Sequence, residues 1–442
     1  MPESAAIAHP PDPIQGVRMV RATRGYLVLL GVAAACGDGS TSEPATPYTA
    51  AAALGTYEDG SGRLGVAALT TIRSDAGAGP ESDWQVDLVR DGASLGSPAA
   101  YAAGAGYAVS VWPDVAPAGG GTFEVVASGG GQTRTADATM ADSIPLAVPL
   151  AALSLDGTRL EWGDVAGAEA YACVLTADGT IQEQQVSAAT GCDVSALPAG
   201  SYLASIQALG ADPTALAPGV APPMPPSFHV SQARLGLLGR ASGAPLVLRA
   251  AGGRIDYGLV PGLAIWVGLA APDGSPDGGA WSIAVTGPDL PASDPLRFEL
   301  QANFTKRVVW AYDLPPEPGL YTLVASNGVE TITTQFAIAP PLPLPLPGGV
   351  SASGDSRRGA RVTWDGVPGA RSYFASAWLG SSYVAGQWVT GTSADFLAGT
   401  FTSGLTYEVY VAAADLDVTA GPPPTRVSVS ENSYTPARFT AP

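Results

Sequence analysis

Four short patterns recur, in the same order, along this 442-residue chain. Trp84-Gln85-Val86-Asp87-Leu88-Val89 returns as Trp281-Ser282-Ile283-Ala284-Val285-Thr286. Gly121-Thr122-Phe123-Glu124-Val125-Val126-Ala127-Ser128 returns as Gly319-Leu320-Tyr321-Thr322-Leu323-Val324-Ala325-Ser326. Trp162-Gly163-Asp164-Val165-Ala166-Gly167-Ala168-Glu169-Ala170-Tyr171 returns as Trp364-Asp365-Gly366-Val367-Pro368-Gly369-Ala370-Arg371-Ser372-Tyr373, with nine residues from Trp to Tyr in both. Ala199-Gly200-Ser201-Tyr202-Leu203-Ala204-Ser205-Ile206-Gln207-Ala208 is answered by Ser403-Gly404-Leu405-Thr406-Tyr407-Glu408-Val409-Tyr410-Val411-Ala412. Chance yields one such match. Four in order imply a duplication in which two kinds of unit alternate, A–B–A–B.

The local pattern is that of β-structure. Segments such as 407–411 alternate apolar and outward positions, and Gly, Pro, Asp and Asn fill the gaps between runs. The 55 glycines and 40 prolines make up about a fifth of the chain, below the roughly 25–30% of low-complexity disorder. They read as turns and connections between many short strands. The mature region carries no convincing amphipathic helix. The expectation is an all-β chain of four tandem antiparallel β-sandwiches. Proline-rich stretches at 217–226 (APGVAPPMPP) and 340–349 (PPLPLPLPGG), with a softer break at 142–149 (DSIPLAVP), place the boundaries. Such runs favour extended spacers. The units are then 46–142 (A1), 150–220 (B1), 227–339 (A2) and 350–440 (B2).

The Trp, the Tyr nine residues later, and the Gly-x-Tyr strand that follows resemble a fibronectin type III module. The likeness is best in the B units, while the A units resemble immunoglobulin-like envelope domains more generally. In that family the Trp sits in an early strand and anchors the core, and the later Tyr opens a core strand. These motifs specify fold far better than function.

The N-terminus reads as an address. Arg21 and Arg24 precede an apolar run from Tyr26 to Ala35, and small residues lead into Cys36. This is the layout of a secretory signal peptide, with Met19 as the expected start. Val32-Ala33-Ala34-Ala35-Cys36 resembles a bacterial lipobox, which implies a lipid on Cys36 and a membrane anchor. Ala33 stands where that family usually has leucine, and Ala33-Ala34-Ala35 also fits ordinary A-x-A cleavage. Residues 1–36 are thus read as leader and signal, and 37–45 as a flexible tether. Removing Cys36 leaves Cys173 and Cys192, an even pair that reads as a disulfide outside the cytoplasm, with two buried free thiols as the alternative.

Composition narrows the function. A net charge of −18 argues against nucleic acid as a partner and against docking to anionic lipid through a basic patch. Only His9 and His229 are available, so a Ser–His–Asp or Cys–His site, or a histidine-rich zinc site, is nearly excluded by supply. The run 273–279 (DGSPDGG) is the best candidate for calcium, but it lacks the EF-hand spacing and reads as a turn. The glycine runs at 119–121 and 129–131 lack the Lys-Ser/Thr of a phosphate cradle. No metal or cofactor is expected. A carboxylate-only hydrolase survives these objections, but no paired carboxylates support it.

One difference between the duplicates points outward. With Tyr373 and Tyr407 facing the core, Phe374, Trp378 and Tyr410 face away, and Trp388 and Tyr383 extend the set. The same register in B1 gives Ala172, Val174, Leu203 and Ser205. A clustered aromatic face marks a contact site for sugar rings, for a protein, or for the neighbouring A unit. The sequence therefore reads as an exported, lipid-anchored envelope protein. It would act as a structural or adhesive spacer and interaction scaffold with an envelope protein or polysaccharide as partner.

Overall fold

The computed structural model describes residues 48–441 apart from 75–83, 99, 105, 118–120, 130, 141–144, 155, 217–223, 242, 259–260, 301, 303, 313, 339–342, 356–358, 419–423 and 434. The leader, Cys36 and the tether at 37–45 lie outside the described residues, as do parts of the three proline-bearing stretches and of both glycine runs. All the regular structure described is β.

A1 contains β1 (Tyr48–Glu58), β2 (Leu64–Ser74), β3 (Gln85–Arg90), β4 (Ala93–Ser94), β5 (Ala100–Gly104), β6 (Tyr107–Trp112), β7 (Thr122–Gly129) and β8 (Gln132–Thr139). B1 contains β9 (Ala151–Leu153), β10 (Arg159–Trp162), β11 (Ala170–Ala177), β12 (Thr180–Ser187), β13 (Gly191–Asp193), β14 (Gly200–Leu209) and β15 (Val230–Gly239). A2 contains β16 (Leu246–Asp256), β17 (Pro261–Ala270), β18 (Trp281–Thr286), β19 (Leu296–Leu300), β20 (Lys306–Ala311), β21 (Gly319–Ser326) and β22 (Thr331–Ile338). B2 contains β23 (Ser351–Asp355), β24 (Gly359–Thr363), β25 (Ser372–Leu379), β26 (Ser382–Val389), β27 (Ser393–Phe396), β28 (Thr406–Ala414), β29 (Val427–Glu431) and β30 (Ala437–Thr440).

Each unit is a two-sheet sandwich. In A1 the order β1-β2-β6-β5 packs on β4-β3-β7-β8, and in A2 β16-β17-β20 packs on β19-β18-β21-β22. In B1 β13-β10-β9 packs on β12-β11-β14-β15, and in B2 β23-β24-β27 packs on β26-β25-β28-β29. The cores follow from period-two alternation. In β18, Trp281, Ile283 and Val285 are buried while the residues between them are exposed or half-buried. In both B units the Trp packs on the Tyr nine residues later, with ring centroids 5.6 Å apart for Trp162–Tyr171 and 5.4 Å for Trp364–Tyr373. The Tyr171 and Tyr373 hydroxyls accept the Val165 and Val367 N–H groups at 2.8 and 2.9 Å.

Two sequence expectations about boundaries change. β15 pairs with β14 along its whole length, from Gly200↔Gly239 to Leu209↔Val230. It is the last strand of B1, although residues 227–239 were expected in A2. The prolines at 217–226 therefore sit inside B1, between two strands of one sheet, and not between domains. The sandwiches are also not held apart by spacers, because Thr46–Pro442 forms one compact unit. One sheet from each of the four sandwiches joins in a single sixteen-stranded sheet among the described residues.

The joins are duplicated too. The end of β1 pairs in parallel with the start of β15, Tyr57↔Val230 and Glu58↔Ser231. The end of β16 pairs in parallel with β29, Ile255↔Val429 and Asp256↔Ser430. Gly55 and Gly253 occupy equivalent places under these crossings. A Cβ on Gly55 would overlap the Phe228 carbonyl, and one on Gly253 the Val427 carbonyl. Only glycine permits that approach. The connections seal the same joints: Ser231 Oγ donates to the Ala147 carbonyl at 2.5 Å and Ser430 Oγ to the Pro345 carbonyl at 2.7 Å.

Each joint buries an apolar seam between an A sheet and a B sheet. In the first pair Ala53, Tyr57, Leu69, Val109 and Val111 of A1 meet Ala172, Val174, Leu209, Phe228 and Val230 of B1. In the second, Ala251, Ile255, Ala264, Trp266 and Val308 of A2 meet Ala412, Ala414, Leu416, Val427 and Val429 of B2. Fully burying one such aliphatic side chain contributes about 1.5–3 kcal/mol, so the seam leaves the sandwiches strongly coupled.

Candidate interaction face

The B2 face is built by β25, β26 and β28. Tyr373 and Tyr407 are buried in the B2 core, and the Tyr407 hydroxyl accepts the Thr402 N–H at 2.7 Å. Anchoring these two residues inward fixes the register and turns Phe374, Trp378, Glu408 and Tyr410 to the other side. A bulge between Ala377 and Trp378 brings Trp378 opposite Tyr383.

The aromatic set divides at the seam. Phe374 lies against Trp388 at 5.2 Å and against Trp310 of A2 at 6.4 Å. Phe374 and Trp388 pack on the A2–B2 seam, so they hold the two sandwiches together and do not belong to an open contact face. Trp378, Tyr383 and Tyr410 lie beyond it. The Trp378 ring meets Tyr383 edge-on at 5.4 Å and Tyr410 at 6.5 Å. Trp378 and Tyr410 are half-buried, and Tyr383 is 53% exposed.

Polar contacts hold this trio. Trp378 Nε1 donates to Ser376 Oγ at 3.1 Å. The Tyr410 hydroxyl donates to Glu408 Oε2 at 2.8 Å, and Glu408 Oε1 accepts from Arg438 Nε at 2.9 Å. Burial and then the Glu408 carboxylate push the Tyr410 hydroxyl up to about 12. The hydrogen bonds from Tyr410 and Arg438 hold the Glu408 carboxyl below its usual range. At neutral pH the trio is thus an uncharged aromatic surface with a fixed carboxylate at its border. Fixed aromatic edges beside an ion-paired carboxylate suit stacking on a ring that also offers hydroxyl donors.

The other candidates are committed to structure. Cys173 on β11 and Cys192 on β13 form a disulfide that joins the two sheets of B1, with Cα atoms 6.4 Å apart. His229 sits at the A1–B1 seam. Its Nδ1 accepts the Thr56 N–H at 3.1 Å, and burial lowers its pKa. In the 273–279 loop, Asp273 Oδ1 accepts from Ser275 N and Oγ at 2.9 and 2.5 Å. Asp277 accepts from Arg240 at 2.6 Å and from Trp281 Nε1 at 3.2 Å. Both carboxylates are thus occupied within the fold. Asp164 accepts the Tyr171 hydroxyl at 2.8 Å. Among the described residues no group of three or more His, Cys, Asp or Glu is placed to hold a metal.

No protein-family model matches the chain, and no curated protein sequence does. Among solved structures, a segment of two fibronectin type III domains from chicken tenascin is 16% identical, with a TM-score of 0.17, over 40% of this chain and 92% of that one. Native E. coli alpha-2-macroglobulin is 12% identical, with a TM-score of 0.18, over 90% of this chain and 29% of that one. A segment of titin is 12% identical, with a TM-score of 0.17, over 87% of this chain and 94% of that one. Likeness at these scores carries no inference about function. The sandwich assignment rests on the strand pairing itself.

Proposed function

We propose that the protein is an exported, non-enzymatic scaffold of the cell envelope, anchored by lipid on Cys36, that presents the Trp378–Tyr383–Tyr410 face of B2 to an envelope polysaccharide or protein. The observation that carries this reading is the asymmetry of the duplicated sandwiches. B2 has an aromatic trio, half-buried at Trp378 and Tyr410 and exposed at Tyr383, where B1 has Thr176, Ile181 and Ser205. Duplicated cores keep their fold residues and diverge where a surface has acquired a task. The B1 disulfide supports an oxidising compartment, in line with the leader. The acidic balance supports solubility and resistance to non-specific association.

Intact mass of the membrane-extracted protein tests the anchor. A diacylglycerol-bearing Cys36 at the mature N-terminus is expected, and an unmodified chain beginning elsewhere contradicts it. Co-sedimentation with purified cell-wall polysaccharide tests the face. Saturable binding lost in Trp378→Ala favours the polysaccharide over a protein partner. Binding unchanged in the variant places the contact elsewhere.

A further inference from the structure

The B1–A2 contact occurs once in the molecule, between the two duplicated pairs. β15 turns back into β16 over three residue pairs, Gly236↔Leu248 to Leu238↔Leu246. Beside this turn a small, open cleft lies where pieces of all four sandwiches meet. Its walls include Asp59 of A1, Val148 of the A1–B1 connection, Arg234 of B1, Arg249 and Phe336 of A2, and Thr425 of B2.

Arg249 stands out. On β16, Leu246 and Leu248 enter the A2 core, so Arg249 points to the opposite face. Its guanidinium makes no hydrogen bond or ion pair among the described residues. Protein atoms crowd it while the cleft still admits solvent. Burial alone pulls its pKa down to about 10, with no acid close enough to oppose the shift. It therefore remains charged at neutral pH. A crowded cation without a partner is costly, and such groups are ordinarily compensated.

Arg234 is similar. Its Nη1 reaches the neutral Gln335 Oε1 at 3.4 Å, and its guanidinium also hydrogen-bonds the Tyr57 hydroxyl, so both of its partners are uncharged. Asp59, the one carboxylate on the wall, already accepts Ser61 N and Oγ at 3.2 and 2.7 Å. The duplication offers a control. The position matching Arg249 in A1 is Ala51, and the one matching Arg234 in B2 is Ser433, given that Ala53 matches Ala251 and Val230 matches Val429. Both arginines are thus peculiar to the place where the cleft exists.

We propose that Arg249 and Arg234 bind the carboxylate of a small organic acid in this cleft, with Phe336 and Val148 covering its hydrocarbon part. A planar guanidinium fork matches the two oxygens of a carboxylate. A phosphate would leave further charged oxygens against the apolar wall of Val148, Leu235 and Phe336.

The test is calorimetric titration of the full chain with benzoate, with benzamide as neutral isostere, and with inorganic phosphate. Benzoate is expected to bind saturably and about tenfold or more tightly than benzamide, a factor typical of one charge-assisted contact. Arg249→Gln is expected to abolish the preference. Arg249→Lys, which keeps the charge and loses the fork, is expected to weaken binding. Without ligand, Arg249→Gln is expected to unfold at a higher temperature than the parent, since it removes an unpaired cation. Equal binding of benzoate and benzamide, no benzoate binding at millimolar concentration, or full binding by Arg249→Gln would overturn the proposal. Phosphate binding more tightly than benzoate would overturn the assignment to a carboxylate.

Discussion

B1 and B2 are the same sandwich stabilised in different ways. In B1 the two sheets are joined by Cys173–Cys192. The equivalent B2 positions are Ala375 and Ala394, both buried in the core. B2 compensates with aromatic packing, in which Phe401 meets Phe396, Tyr407 and Phe439 at centroid distances of 5.7, 4.8 and 5.0 Å. The outer faces diverge in the same direction. Ala172 and Val186 at the first seam become Phe374 and Trp388 at the second. One fold thus tolerates covalent or aromatic stapling within, provided that the joint to its A partner is preserved.

The joint also differs in one buried group. At the first seam the Tyr57 hydroxyl donates to the Gln232 amide oxygen at 2.8 Å. The matching position in B2 is Glu431, which accepts from Tyr312 at 2.5 Å and from Ser433. Burial raises the Glu431 carboxyl, while the hydrogen bonds from Ser433 and Tyr312 oppose the shift. A neutral amide in one pair is an ionisable acid in the other.

Breaking the joint should have the largest effect. Gly253→Val is expected to destabilise A2–B2 by about 3 kcal/mol or more, because the Val427 backbone cannot retreat without breaking the parallel pairing. Denaturant unfolding would measure it, and a loss under 1 kcal/mol would mean the crossing is loose. Removing the B1 staple comes next. Cys173→Ala together with Cys192→Ala should lower stability by about 3 kcal/mol for a loop of 19 residues. The same two-site change in B2, Ala375→Cys with Ala394→Cys, should leave denaturant stability unchanged under reducing conditions and raise it once oxidised.

Phe374→Ala should destabilise by about 2 kcal/mol, since a half-buried ring is removed from the second seam. Thermal unfolding would read this, and an unchanged midpoint would return Phe374 to the open face. Glu431→Gln should have a smaller effect that depends on pH. A carboxyl raised by folding supports the fold fully below its unfolded value, about pH 4, and that support is lost as pH rises through the folded value. The variant should therefore match the parent at pH 4 and unfold at a higher temperature at pH 7. Trp378→Thr, which installs the B1 residue, should change stability by about 0.5 kcal/mol and act on binding alone.

Much of this was legible in the sequence because it depends on local period. The Trp–Tyr spacing and the alternation in strands such as β18 specify sandwiches residue by residue. The Tyr373 and Tyr407 anchors give the register of the aromatic face. The joints were harder to read. Pairing between β1 and β15 links residues far apart in sequence, and no local pattern announces a parallel crossing. A signal was present all the same. β17 is apolar throughout instead of alternating, and so is the first half of β2 up to Leu69, as strands covered on both faces are. Applied to β17, that signal predicts a covered outer face, and with it the loss of Phe374 and Trp388 to the seam. The proline run at 217–226 misled because proline breaks strands inside a sandwich as readily as between two.

Hydrogen–deuterium exchange on the full chain tests the fused-pair account most directly. Amides at 230–231 and 427–430 should exchange as slowly as those of the core strands β14 and β28, because the A and B sandwiches share hydrogen-bonded sheets. Fast exchange at both crossings, with the sandwich cores still protected, would mean that the four units are separate beads and that the joints do not hold.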